Sequence, residues 1–310
     1  MSIALWIGGT AAVLAGVIIG WTARAMRTRR SSLPPALVER RARLREALHG
    51  LLAALETPSV TGSELPEHAA SADVEARLLS GDRAGAVAAA ERAVAEDPRD
   101  AGAALLLARA LVGSGELDAA AQVVDRADSL GAQGPMFDYL VSRVACGLIE
   151  RAQGETPADG ALPPLVTPFE MLVLQLERQR RLSDRAAAVW LATATGDNET
   201  LGHEQIRELV VHHFESYYGA LGGFIDAARG APAFADALYH AARMALKVGF
   251  IDDGRALLEA IEPLMVTSSE RQYYHRDLAA LRDEPDLLTA RPLPAVAPTA
   301  VRARSLKVLQ

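Results

Sequence analysis

The chain has 310 residues, half of them hydrophobic and only 5% aromatic, with a formal net charge of −7. Residues 1–45 stand at +7 and residues 291–310 at +4, so residues 46–290 carry −18; this acidic body lacks the basic face that nucleic-acid binding requires. A single cysteine excludes both an internal disulfide and a cysteine-rich zinc site.

From Ile3 to Trp21 no residue is charged, and Arg24, Arg27, Arg29 and Arg30 follow at once. About 20 helical residues at ~1.5 Å rise span roughly 30 Å, the hydrocarbon thickness of a bilayer. A cleaved signal would carry its basic residues before the apolar run, so residues 1–23 read as a retained transmembrane anchor. Because Arg and Lys stay on the cytoplasmic side, the expected topology is N-terminus out, with the bulk of the chain at the cytoplasmic face of a bacterial inner membrane. Ala4, Gly8, Ala12, Gly16 and Gly20 recur every four residues, a stripe on which a second transmembrane helix can pack; an Ala/Gly-rich composition explains it equally well.

Residues 24–56 form a basic juxtamembrane stretch. After Pro34-Pro35, Leu37, Leu44, Leu48, Leu51 and Leu55 follow a heptad-like spacing, with Arg41 filling the gap. This amphipathic helix suits a two-stranded coiled coil, and so a homodimer through the anchor and residues 37–55. It equally suits a helix lying on anionic headgroups. Residues 57–69 carry Pro, Gly and Ser without periodicity and read as a linker.

A 34-residue period organises the body. Gly81, Ala86, Ala90 and Ala93 align with Gly115, Ala120, Val124 and Ala127, and Asp82 with Glu116. The glycines end one helix in a left-handed backbone, the alanines let two helices cross closely, and Pro98 stops the second helix. On these residues the chain resembles the tetratricopeptide-repeat family, whose period is ~34 residues. Ala104, Leu107, Ala108, Leu111, Gly115, Leu117, Ala120, Val124 and Ala127 fall on its signature positions. Leu238, Ala241, Ala242, Ala245, Gly249, Ile251, Gly254, Leu258 and Ile261 fit the same template again. The resemblance covers about 70–150 and 235–265 and implies an all-α solenoid of stacked helical hairpins.

Residues 153–167 interrupt the helical pattern with Gly and Pro. Thr167-Pro168-Phe169-Glu170 and Thr267-Ser268-Ser269-Glu270 both read as capping boxes. Two helical subdomains are therefore expected, at 70–152 and 168–282, the second holding a degenerate hairpin. A Pro-rich, basic and disordered tail is expected at 283–310.

Glu204, Glu208, His212, His213 and Glu215 form the one polar cluster with site-like spacing, yet it completes neither HExxH nor a paired ExxH. A solvated helix face with a Glu–His pair explains it more simply. Cys146, at helical spacing with Val144 and Ile149, reads as a buried small hydrophobe. Phosphate-loop, dinucleotide and nucleophile-elbow motifs are absent, so neither an enzyme nor a cofactor is expected.

The family resemblance implies that the first helix of each hairpin lines a groove. Position nine of three units is then Arg109, Arg143 and Arg243. Position five is Leu105, Tyr139 and Tyr239, and position twelve is Val112, Cys146 and Leu246. Such a row would hold an acidic segment of a protein partner. The expected function is a membrane-tethered adaptor or assembly scaffold, in a layout similar to that of the lipopolysaccharide assembly protein B family but without its Cys-rich module. Two alternatives are a periplasm-facing assembly chaperone of the same fold and a membrane-tethered, metal-dependent enzyme using the His212 cluster.

Overall fold

The structure, a computed structural model, describes residues 35–56, 70–152, 165 and 203–283. The chain divides into a unit of residues 1–39, of which only Pro35–Glu39 is described, and a unit of residues 40–310. The expected anchor with Gly8, Ala12, Gly16 and Gly20, the linker 57–69, the capping box at Thr167 and the tail beyond Asp283 lie outside the described residues. Among the described residues no helix is long and apolar enough to cross a membrane.

Those residues form ten α-helices and no strand: α1 (Pro35–Leu55), α2 (Ser71–Ser80), α3 (Arg83–Glu96), α4 (Ala101–Ser114), α5 (Leu117–Ser129), α6 (Pro135–Ala152), α7 (His203–Gly230), α8 (Ala235–Lys247), α9 (Ile251–Ala260) and α10 (Arg271–Asp283). The 34-residue period is visible in the turns. Gly81, at φ +80°, donates to Leu78 O while Asp82 N reaches Arg77 O; Gly115, also at φ +80°, donates to Val112 O while Glu116 N reaches Leu111 O. Gly249 and Phe250 repeat the pattern on Leu246 O and Ala245 O. This double bond satisfies the carbonyls left open at a helix end, and its left-handed residue carries little strain only without a Cβ. Asp82 and Asp100 then start α3 and α4 by accepting from Gly85 N and Gly102 N.

α2 packs on α3, α4 on α5 and α8 on α9 as antiparallel hairpins. The aligned alanines, Ala86, Ala90, Ala120 and Ala127, are fully buried where the helices cross. Val74, Leu78, Ala89, Leu106 and Ala110 complete the core between α2, α3 and α4. In the last hairpin Gly254 takes the position of Ala86, and a Cβ there would meet Leu246 Cγ at 2.7 Å.

The third hairpin departs from expectation. α6 has its antiparallel partner in α7, on the far side of residues 153–202, so the break does not separate two helical bodies. Glycines let the two approach: a Cβ at Gly223 would collide with Ser142 Oγ, and one at Gly230 would lie 2.6 Å from Pro135 Cγ. α7 then leads directly into α8, so the chain resumes its stack where the insertion ends.

The leucine stripe of α1 is used within the chain. Leu44, Leu48 and Leu51 are buried, with Leu44 against α7 at Gly222. Arg41 interrupts the stripe because it lies over the Phe250 ring at 4.8 Å and donates to Val248 O and Tyr218 OH. Arg45 and His49 reach Asp253 at 3.1 and 2.9 Å. A coiled-coil homodimer through residues 37–55 would need these same leucines, which already cover the chain's own apolar surface.

Candidate functional site

The inner helices bring the position-nine residues together, but not as an open row. Arg109, on α4, is 2% exposed. Its Nε donates to Glu75 at 3.1 Å, its Nη1 to Tyr139 OH at 3.1 Å, and its Nη2 to Ser269 Oγ at 2.8 Å and to Asp236. Arg243, on α8, is fully buried, bonded to Asp277 and to Tyr239 OH at 3.3 Å; Asp277 also accepts from Tyr239 OH at 2.8 Å. Beside them Lys247 meets Glu150 at 3.4 Å, and His240 meets Glu270 at 3.6 Å while stacking on Phe224. The carboxylates expected from a partner are supplied by α2, α8 and α10 of the same chain.

A rule sits behind this arrangement. Glu75, Arg109 and Arg143 are spaced by 34 residues, and so are Arg243 and Asp277. At two steps of this spacing the equivalent positions of successive helices touch and carry opposite charges, the rungs of a charge ladder. Glu75 pairs with Arg109 and Arg243 with Asp277, both across one period. Extending the period one step back from Arg109 and one step on from Arg243 would have found both carboxylates.

The electrostatics follow from burial and neighbours. Burial opposes the charge of Arg109, but Glu75, the Tyr139 oxygen and Asp236 hold its pKa well above the ordinary value. Burial likewise opposes ionisation of Glu150, yet Lys247, Arg243 and Arg143 outweigh it and keep its pKa low. His240 is pushed down to about 4, first by burial and then, against the opposing pull of the nearby Glu270 carboxylate, by Arg143 and Arg243. Burial is resisted at Glu270 by His240, Arg143 and Arg109, and its carboxyl is held well below the usual range. Cys146 is buried with its Sγ 3.7 Å from Met244 Sδ, and burial pushes the thiol up, away from nucleophilic use.

Arg143 differs from its ladder partners. It is 6% exposed, its buried Nε has no hydrogen-bond partner, and no carboxylate of the described residues lies within ion-pair distance. Burial works against its charge, while Glu270 and Glu150 hold that charge from farther away. Arg143 lines a cleft of about 830 Å³ between the α2–α3 turn, α4, α6 and the start of α10. Val112, the position-twelve residue of the same groove, lines it too.

The remaining expected residues are placed as follows. Tyr139 and Tyr239 are fully buried inside the ladder, and Leu105 packs on the Ala104–Ala127–Ala132 cluster. Glu204 to His213 belong to α7, and their side chains lie outside the described residues; Glu215 is exposed. No group of His, Cys, Asp and Glu placed to hold a metal occurs among the described residues. The Thr267–Glu270 segment is not a capping box. Ser268 Oγ accepts from Glu270 N at 3.0 Å and bonds Asp236, while Glu270 turns inward to His240.

Stacked antiparallel hairpins with a 34-residue period, three of them closed by a glycine turn, define an α-hairpin repeat protein. Within it, residues 77–144 match the family described as Tetratricopeptide repeat. No curated protein and no solved structure matches the chain at a significant level.

Proposed function

We propose that the chain is a membrane-tethered adaptor or assembly scaffold that binds protein partners at the cytoplasmic face of the bacterial inner membrane. The observation that carries this reading is the tetratricopeptide hairpin array at residues 77–144, a repeat that generally mediates protein–protein contacts. Tethering rests on the uncharged run from Ile3 to Trp21 and the arginines that follow it, a layout similar to that of lipopolysaccharide assembly protein B.

The test is a pair of reporter fusions at Gln310. A fluorescent protein that matures only in the cytoplasm is expected to be bright in the membrane fraction. Strong alkaline phosphatase activity from the same position would reverse the topology and favour a periplasm-facing chaperone. Recovery of the fusion entirely in the soluble fraction would remove the tether.

A further inference from the structure

Four large hydrophobic residues are exposed among the described residues, and two of them, Leu79 at 50% and Val266 at 61%, line the Arg143 cleft from separate elements. Arg83, Arg143 and Arg271 line it against one carboxylate, Glu270, which turns toward His240 Nε2 at 3.6 Å. A volume of about 830 Å³ lies in the ~300–1,000 Å³ range of ligand clefts, room for a few residues and not for a folded domain. The ladder elsewhere satisfies each arginine with a carboxylate, and a buried guanidinium without one is unfavourable unless something supplies it.

We infer that this cleft takes a short peptide segment of a protein partner, with an aspartate or glutamate entering to meet Arg143 and apolar neighbours lying on Leu79 and Val266. The inference rests on the adaptor reading and narrows it to one place and one chemistry. The carboxylate completes the ladder at its open rung, replacing in trans what Asp236 and Asp277 supply in cis. Leu79 and Val266 lose exposed apolar area on binding, which adds affinity without demanding a unique sequence. Because the body is acidic, the arginines act locally and binding gains little from long-range steering.

The experiment uses the full chain in detergent and two synthetic octapeptide pools. One has a central Glu flanked by Leu, Ile or Val; the other has Gln in its place. Wild type is expected to retain the Glu pool at least tenfold better than the Gln pool, and Arg143→Gln to lose that preference. Leu79→Ser and Val266→Ser, both at exposed positions, are expected to weaken retention of both pools several-fold with unchanged thermal melts. Equal retention of the two pools by wild type, or a preference that survives Arg143→Gln, overturns the proposal. A photo-crosslinker at Leu79 tests other occupants: a crosslink to residues 57–69, to the tail or to a second copy would also overturn it. If the Leu79→Ser, Val266→Ser double variant still holds a membrane-derived protein partner at the wild-type level, the cleft fails and the adaptor reading stands. A wild type that holds no partner fails both.

Discussion

Replacing Asp277 with Leu removes the carboxylate that Arg243 and Tyr239 share, in a place where Arg243 is fully buried and Asp277 is 1% exposed. Breaking one side of a buried pair costs about 3–5 kcal/mol, because the surviving charge keeps its desolvation penalty. Glu150 is close enough to offset part of that penalty, and the lost Tyr239 bond adds about 1 kcal/mol. The net expectation is therefore about 3–5 kcal/mol, or roughly 6–20 °C in Tm for a body of this size. Arg243→Met together with Asp277→Leu removes both charges and should recover most of the loss, since apolar replacement of a whole buried pair is often neutral. Circular dichroism melts of the full chain in detergent, with urea midpoints alongside, measure both variants. A single variant within about 1 kcal/mol of wild type, or a double variant no better than the single one, would refute the ladder as a stability element.

Two further outcomes follow from packing and from protonation. Gly223→Val forces two methyl groups into the space of Ser142 Oγ and should destabilise by about 1–3 kcal/mol by urea titration, whereas Gly50→Val, with open space around it, should lack this steric penalty. His240 is neutral in the fold with a pKa near 4, while in the unfolded chain it takes a proton near pH 6.5, so stability is complete above pH 6.5 and is lost as pH falls toward 4. Glu270, held low, adds loss in the same direction below the ordinary carboxylate range. Between pH 6.5 and 5 the urea midpoint should drop by the equivalent of up to about 2 kcal/mol, and His240→Gln should flatten that slope; an unchanged slope in the variant would dismiss His240 as its source.

What could be read from the residues, and what could not, divides along sequence distance. Gly81, Gly115 and Gly249 announced three turns because helix ends are local, each solved by backbone bonds within six residues. The alanines announced the crossings because only small side chains fit there. The partner of α6 was hidden, since the pairing skips residues 153–202 and rests on Gly223 and Gly230, which no local pattern distinguishes from other helical glycines. The arginine row was found by its period, but its carboxylates come from helices on both sides of it. Asp236 and Glu270 do not share the arginines' repeat position, and Glu75 and Asp277 lie outside residues 77–144, the stretch that matches the repeat family. The leucines of α1 showed that an apolar surface must cover them; whether that surface belonged to a second copy or to α7 is decided by long-range packing alone.

The docking of α1 sets an order of events during synthesis. Arg45 and His49 close on Asp253, 208 and 204 residues later, whereas the α2–α5 hairpins close within one or two periods. Contacts of small sequence separation form early and distant ones wait for the chain to be made. The first helix of the body to leave the ribosome is thus among the last to be covered. Until α7 has been made Leu44 lacks the surface it covers, and Arg45 and His49 wait for Asp253 on α9. For that interval the apolar stripe of α1 stays uncovered by its native partners, and its docking onto α7 and α9 joins the start of the body to its last hairpin.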